Sequence, residues 1–134
     1  PWSSFAAQLA EAKAGTTVDQ VRGYYPRWPT RELELRIAEL PSCDDQAVRE
    51  TYAGFETDEF EDDWIRLTPP CALICGGDSP MVGDADEHRL RDLAPTLPIV
   101  TVPDAGHMVP WDNYDGFFSA FRQIVGWLAE GGSQ

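Results

Sequence analysis

Val102-Pro103-Asp104-Ala105-Gly106-His107-Met108-Val109-Pro110-Trp111-Asp112-Asn113 is the stretch whose reading decides the fold. It holds one of only two histidines in 134 residues. The β-branched run Ile99-Val100-Thr101-Val102 leads into it, and a helical pattern begins near Asp115. Gly106 is expected to turn the backbone where a Cβ would obstruct it, aiming the imidazole off the end of a strand. Histidine can shuttle protons near neutrality. A loop histidine also serves as a surface or capping residue, so the neighbouring sequence has to decide.

Upstream, Cys71-Ala72-Leu73-Ile74-Cys75 is continuously apolar between Pro69-Pro70 and Gly76-Gly77. That pattern predicts a strand buried on both faces, as in a parallel sheet. Asp84 is expected to cap a helix over residues 84–93, and residues 99–102 form a second strand. Phe117, Phe121, Ile124, Val125 and Leu128 mark a last amphipathic helix, closed by Gly131-Gly132. Strand, helix, strand, helix gives parallel strands with crossovers. Two strands make a poor sheet. This half therefore reads as the edge of a larger sheet, with residues 71–75 central in it.

The first 55 residues follow another grammar. Ser3 or Ser4 can cap a helix with Phe5, Leu9 and Ala12 on one face, ended by Gly15. Thr17 and Gln20 make a capping box before Val18, Val21, Tyr24 and Tyr25, and Pro26 stops that element. A third helix from Thr30 carries Leu33, Ile37 and Leu40. A fourth, from Ser42, turns Val48, Thr51, Tyr52 and Phe55 inward. Tyr24, Tyr25, Trp28 and Tyr52 are candidates to face a substrate cleft, with core packing the alternative. Residues 56–63, Glu-Thr-Asp-Glu-Phe-Glu-Asp-Asp, read as a solvated acidic connection.

The formal net charge of −13 argues against nucleic acid and anionic membrane surfaces. No apolar run approaches the roughly 20 residues that span a bilayer. The chain opens on Pro1-Trp2-Ser3-Ser4, with neither an initiator methionine nor a signal peptide, which reads as a processed or truncated product. Cys43, Cys71 and Cys75, an odd count without a framework, fit a reducing, cytoplasmic setting. Cys71, Cys75 and His107 lack the close pairing of a zinc site, so no metal is implied.

A helical insert, then strand–Gly-Gly-Asp–helix, then strand–Gly-His loop–helix, resembles the C-terminal part of the α/β-hydrolase fold. Residues Pro70-Cys71-Ala72-Leu73-Ile74-Cys75-Gly76-Gly77-Asp78-Ser79-Pro80 and Pro103-Asp104-Ala105-Gly106-His107-Met108-Val109-Pro110-Trp111 carry the resemblance. It implies an α/β fold in which residues 1–63 form a helical cap. Residues 64–134 would be the C-terminal portion of the core, with two parallel strands and flanking helices. His107 would be the general base of a Ser-His-acid triad. The family's nucleophile sits on a Gly-x-Ser-x-Gly elbow, which this sequence does not contain.

The resemblance therefore implies an N-terminal hydrolase partner supplying nucleophile and oxyanion hole, cleaved from the same precursor or encoded separately. The acid stays open. Many relatives have Gly-x-x-Asp-Pro where Ser79 stands here, and Asp78 is one residue early. Others have Gly-Gly-x-Ser-Pro and keep the acid upstream, after the sixth strand. Met108 and Trp111 are candidate substrate-binding residues; Trp111 could equally pack the last helix. The implied reaction is hydrolysis of an ester, lactone or related acyl bond of a small molecule, with no metal or organic cofactor. Two alternatives stand beside it: a non-catalytic or regulatory subunit, and a hydrolase-fold lyase or cyclase.

Overall fold

The computed structural model describes residues 2–55, 57 and 60–129. It divides into two compact units, Pro1–Asp58 and Glu59–Gln134. The Gly131-Gly132 stop and three residues of the acidic connection (Glu56, Asp58, Glu59) lie outside the described residues.

The first unit is helical: α1 (Trp2–Ala14), α2 (Val18–Tyr24), α3 (Thr30–Glu39) and α4 (Asp45–Phe55), with a 3-10 turn at Leu40–Ser42. Leu9, Ala12, Val21, Trp28, Leu33 and Leu40 are its buried apolar residues. Gly15 ends α1 at φ +95°, a left-handed conformation glycine adopts without penalty. The Thr17 capping box is formed: Gln20 N–H donates to Thr17 Oγ1, and Thr17 N–H donates to Gln20 Oε1 at 2.9 Å.

Three expectations for this unit need correction. Ser3 and Ser4 lie inside α1 and do not cap it. Ser42 sits in the 3-10 turn, and Asp44 caps α4 by accepting the Ala47 N–H at 2.8 Å. Thr51 and Phe55 do not turn inward: both are exposed, Phe55 at 61%. Of the candidate cleft aromatics, Trp28 is buried and stacked on Tyr25 at 4.1 Å, and Tyr52 lies against Phe5. Tyr24 donates its hydroxyl to Glu11.

The second unit is built on β1 (Leu73–Gly76) and β2 (Ile99–Val102), paired in parallel with Leu73 opposite Ile99 and Gly76 opposite Val102. Side chains alternate across a strand, so the two faces build separate clusters. On one face Leu73, Cys75 and Ile99 join Trp64, Leu90, Ala94 and Leu97. Ile74, Val100 and Val102 meet Ala105, Val109, Phe117 and Ala120 on the other. Residues 60–63, read as a solvated connection, belong to a short helix, α5 (Phe60–Trp64), in this unit. The Trp64 indole N–H reaches the Leu90 carbonyl of α6 (Asp84–Leu93) at 2.8 Å.

Asp84 is the first residue of α6 and not its cap; Gly83 holds that position, its N–H bonded to Asp86. On the same face Glu87 accepts from the Thr101 hydroxyl and from Arg91. Those two contacts, the hydroxyl first, hold the Glu87 carboxyl below its usual range. Its contribution to stability is therefore present above its unfolded value and lost as pH falls through the lowered one.

The last helices are α7 (Val109–Asp112) and α8 (Tyr114–Ala129). Ala120 and Ile124 are the buried residues of α8. Phe121 and Val125, expected inside, are each 47% exposed. No helix among the described residues is long and apolar enough to cross a membrane.

Candidate functional site

The site is built from two loops leaving the same end of the parallel sheet, the end where ligands bind in open α/β folds. The first follows β1 and is short. Gly77 N–H donates to Val102 O at 2.8 Å, and Ser79 N–H donates to Gly76 O at 3.0 Å. The Ser79 hydroxyl then accepts the Met81 N–H at 3.1 Å, bracing the turn.

The second loop follows β2. Its sharp turn is made by Asp104, at φ 53°, and not by Gly106 as the sequence suggested. Aspartate is among the few side chains that tolerate this region. Gly106 serves a spatial need instead: a Cβ there would stand 3.0 Å from Asp112 Oδ2. The Gly106 N–H donates to that same oxygen at 2.9 Å. Asn113 ties the other end of the loop. Its Nδ2 donates to Pro103 O and its Oδ1 accepts the Gly116 N–H, each at 2.9 Å.

The two loops are joined. Asp78 N–H donates to Ala105 O at 2.9 Å, and Ala105 is fully buried. Gly76 approaches so closely that a Cβ on it would fall 2.1 Å from Gly106 O and 2.3 Å from Ala105 O. The fold thus brings the backbones of the Asp78 and His107 loops together, with His107 and Asp78 both exposed. Met108 is half-buried, and its carbonyl accepts the N–H groups of Trp111 and Asp112, starting α7. Trp111 is on that turn and partly exposed. His88, by contrast, is exposed on α6 with Nδ1 at the Asp84 carbonyl.

Sequence reasoning missed the role of Asp112 and Asn113. The signal for Asn113 was present: asparagine three residues before Gly116, at a helix start, is an N-cap pattern. For Asp112 there was none, because its contact reaches back six residues across a turn.

No family model matches the chain. It is 29% identical over 125 residues to an N-formylmaleamate deformylase of Pseudomonas putida, covering 93% of this chain and 46% of that protein. A solved structure of N-formylmaleamic acid deformylase from Pseudomonas putida, a serine-to-alanine variant, superposes with a TM-score of 0.79 at 35% identity. That match covers 91% of this chain and 48% of the other. An E-2-(acetamidomethylene)succinate hydrolase superposes with a TM-score of 0.73 at 22% identity, over 94% of this chain and 53% of the other, a likeness of fold alone. The chain spans about half the length of the relatives it matches.

Proposed function

We propose that this chain, whose fold is the C-terminal portion of an α/β-hydrolase fold, is part of a hydrolase and carries the general base of an acyl-transfer site. In this reading His107 takes the proton of a serine as that oxygen attacks a carbonyl carbon. It returns a proton to the leaving nitrogen as the C–N bond breaks, and then activates the water that cleaves the acyl-enzyme. A formyl group would leave as formate. The exposed imidazole at the C-terminal edge of the sheet, one residue past the loop-to-loop junction, is the observation that carries the reading.

The acyl bond is an N-acyl bond in preference to an ester or lactone. The support is that the relatives at 29% and 35% identity are named for a deformylase reaction, on N-formylmaleamate. That one of them was crystallised as a serine-to-alanine variant supports a serine nucleophile. Met108 and Trp111, flanking the imidazole in sequence, are assigned to the acyl pocket. A cytoplasmic setting belongs to the same proposal, supported by cysteines that are all unpaired. Nothing in the steps calls on a metal or organic cofactor.

The nucleophile, the oxyanion hole and further strands come from a preceding part of the fold, as sequence upstream or as a separate chain. Among the described residues β1 pairs only with β2, and its other edge is where a further strand would add. The complete assembly is expected to release formate from N-formylmaleamate, whereas residues 1–134 alone should release none and should aggregate or stay molten. Formate assay and sedimentation check this. A sharply folding monomer of residues 1–134 would refute the missing-strand part, and an assembly without amidase activity would refute the deformylase part.

We take the acid to lie upstream, because Ser79 occupies the position of the family's aspartate and is committed to the Met81 amide. Asp78→Asn should then lower turnover by no more than about tenfold, or about 1.4 kcal/mol. A loss near 10⁴-fold with the loop intact would assign the acid to Asp78.

A further inference from the structure

We propose that Asp112 is the positioning residue of the His107 loop, its carboxylate holding the Gly106 amide and so orienting the next side chain. The proposal rests on the reading of His107 as the base. Its geometry is local. The Gly106 N–H points at Asp112 Oδ2 from 2.9 Å in a partly buried setting. A Cβ at residue 106 would stand 3.0 Å from that oxygen, so the carboxylate would have to give by a few tenths of an ångström. A backbone N–H bonded to a charged oxygen is roughly twice as strong as its neutral counterpart.

The carboxylate is itself held on a firm support. Asp112 ends α7, whose first residue Val109 is buried against Val102, Ala105 and Ala120. Its own N–H donates to Met108 O at 3.0 Å. Residues 106–112 therefore close on themselves, with His107 inside the ring formed by the Gly106–Asp112 bond. Asn113, the next residue, ties the start of the same loop through Pro103 O. The imidazole is thus mounted on a segment strapped at both ends. A base must stand within hydrogen-bond reach of the proton it takes, and about 1 Å of misplacement can cost about 100-fold in rate.

The test compares Asp112→Ala and Asp112→Asn in the complete assembly. Two readouts are taken: hydrogen exchange at the Gly106 amide, and steady-state kinetics with N-formylmaleamate. The alanine variant should accelerate exchange at Gly106 by about tenfold or more while the rest of the second unit is unchanged. It should lower kcat by about 10- to 100-fold with KM within about twofold. Asparagine keeps an acceptor oxygen and should recover most of both effects. Unchanged exchange at Gly106 would overturn the proposal, as would exchange accelerated throughout the unit, or asparagine no better than alanine. If His107→Ala leaves turnover intact, or N-formylmaleamate is not turned over, the functional reading fails, and the exchange arm still decides whether Asp112 holds the loop.

Discussion

His107→Ala in the complete assembly should lower turnover by about 10⁴-fold or more while leaving folding nearly unchanged. Both halves of that expectation come from the placement of the residue. The imidazole is exposed, so its removal opens no cavity. The loop beneath it is held by backbone groups and by Asp112 and Asn113, none of which needs the ring. In the proposed mechanism the attacking serine would then lose its proton to water, and the leaving nitrogen would depart without an acid. His88→Ala is the internal comparison. That ring is also exposed, but it lies on α6 against its own helix carbonyl, and its loss should leave turnover within about twofold. Steady-state kinetics and a thermal melt on each variant check this. Near-normal turnover in folded His107→Ala would remove the chain from general-base catalysis and favour a non-catalytic role or lyase or cyclase chemistry.

The elements that position this residue were legible where local pattern and tertiary packing agree. Residues 99–102 form β2 as read, because an apolar β-branched run between turns has one stable use in a buried sheet. Residues 84–93 form α6 as read, with Leu90 its buried residue. The first strand runs Leu73–Gly76 and not 71–75. Gly76 reads as a turn residue in sequence, yet it is drawn into the strand by pairing with Val102 and by the contact with the second loop. Both are tertiary facts that no window of sequence contains.

The last helix fails differently. Its large apolar positions 117, 118, 121, 124, 125, 127 and 128 cover more than one face, so periodicity alone cannot say which face meets the sheet. Ala120, small enough for close approach, turns out to mark it. The helical turn Val109–Asp112 precedes the helical pattern read from near Asp115, and its Pro110 is well tolerated in the first turn of a helix. At the site, the two loops could be named from sequence, but not the bonds that join them. The Asp78–Ala105 bond links residues 27 positions apart, and its register depends on the parallel pairing.

Gly76→Ala should be the most damaging small substitution in the second unit. The added Cβ would fall 2.1 Å from Gly106 O, 2.3 Å from Ala105 O and 2.8 Å from the Ala105 carbonyl carbon. These are backbone atoms, so no side-chain rotation relieves the clash. Either the end of β1 or the His107 loop must move. The loop resists, because Ala105 is buried, its carbonyl is bonded to Asp78 N–H, and Gly106 is bonded to Asp112. Forcing one carbon into a close-packed site costs about 1–3 kcal/mol or more. Because the strain falls on the two residues before His107, turnover should fall as well, by about 100-fold for a shift near 1 Å. Two nearby controls separate this from the general cost of replacing glycine. At Gly77 the nearest atom to a new Cβ is Val102 O at 3.5 Å, an ordinary contact, so Gly77→Ala should change stability by no more than about 0.5 kcal/mol. At Gly126, within α8, a Cβ meets nothing within 4 Å, and Gly126→Ala should stabilise by about 0.5–1 kcal/mol. Denaturant unfolding and kcat of the three variants in the complete assembly should give the order 126, 77, 76 from most to least stable, with only the last losing turnover. If Gly76→Ala unfolds at the same midpoint as Gly77→Ala, the contact between the two loops is not what holds His107 at the edge of the sheet.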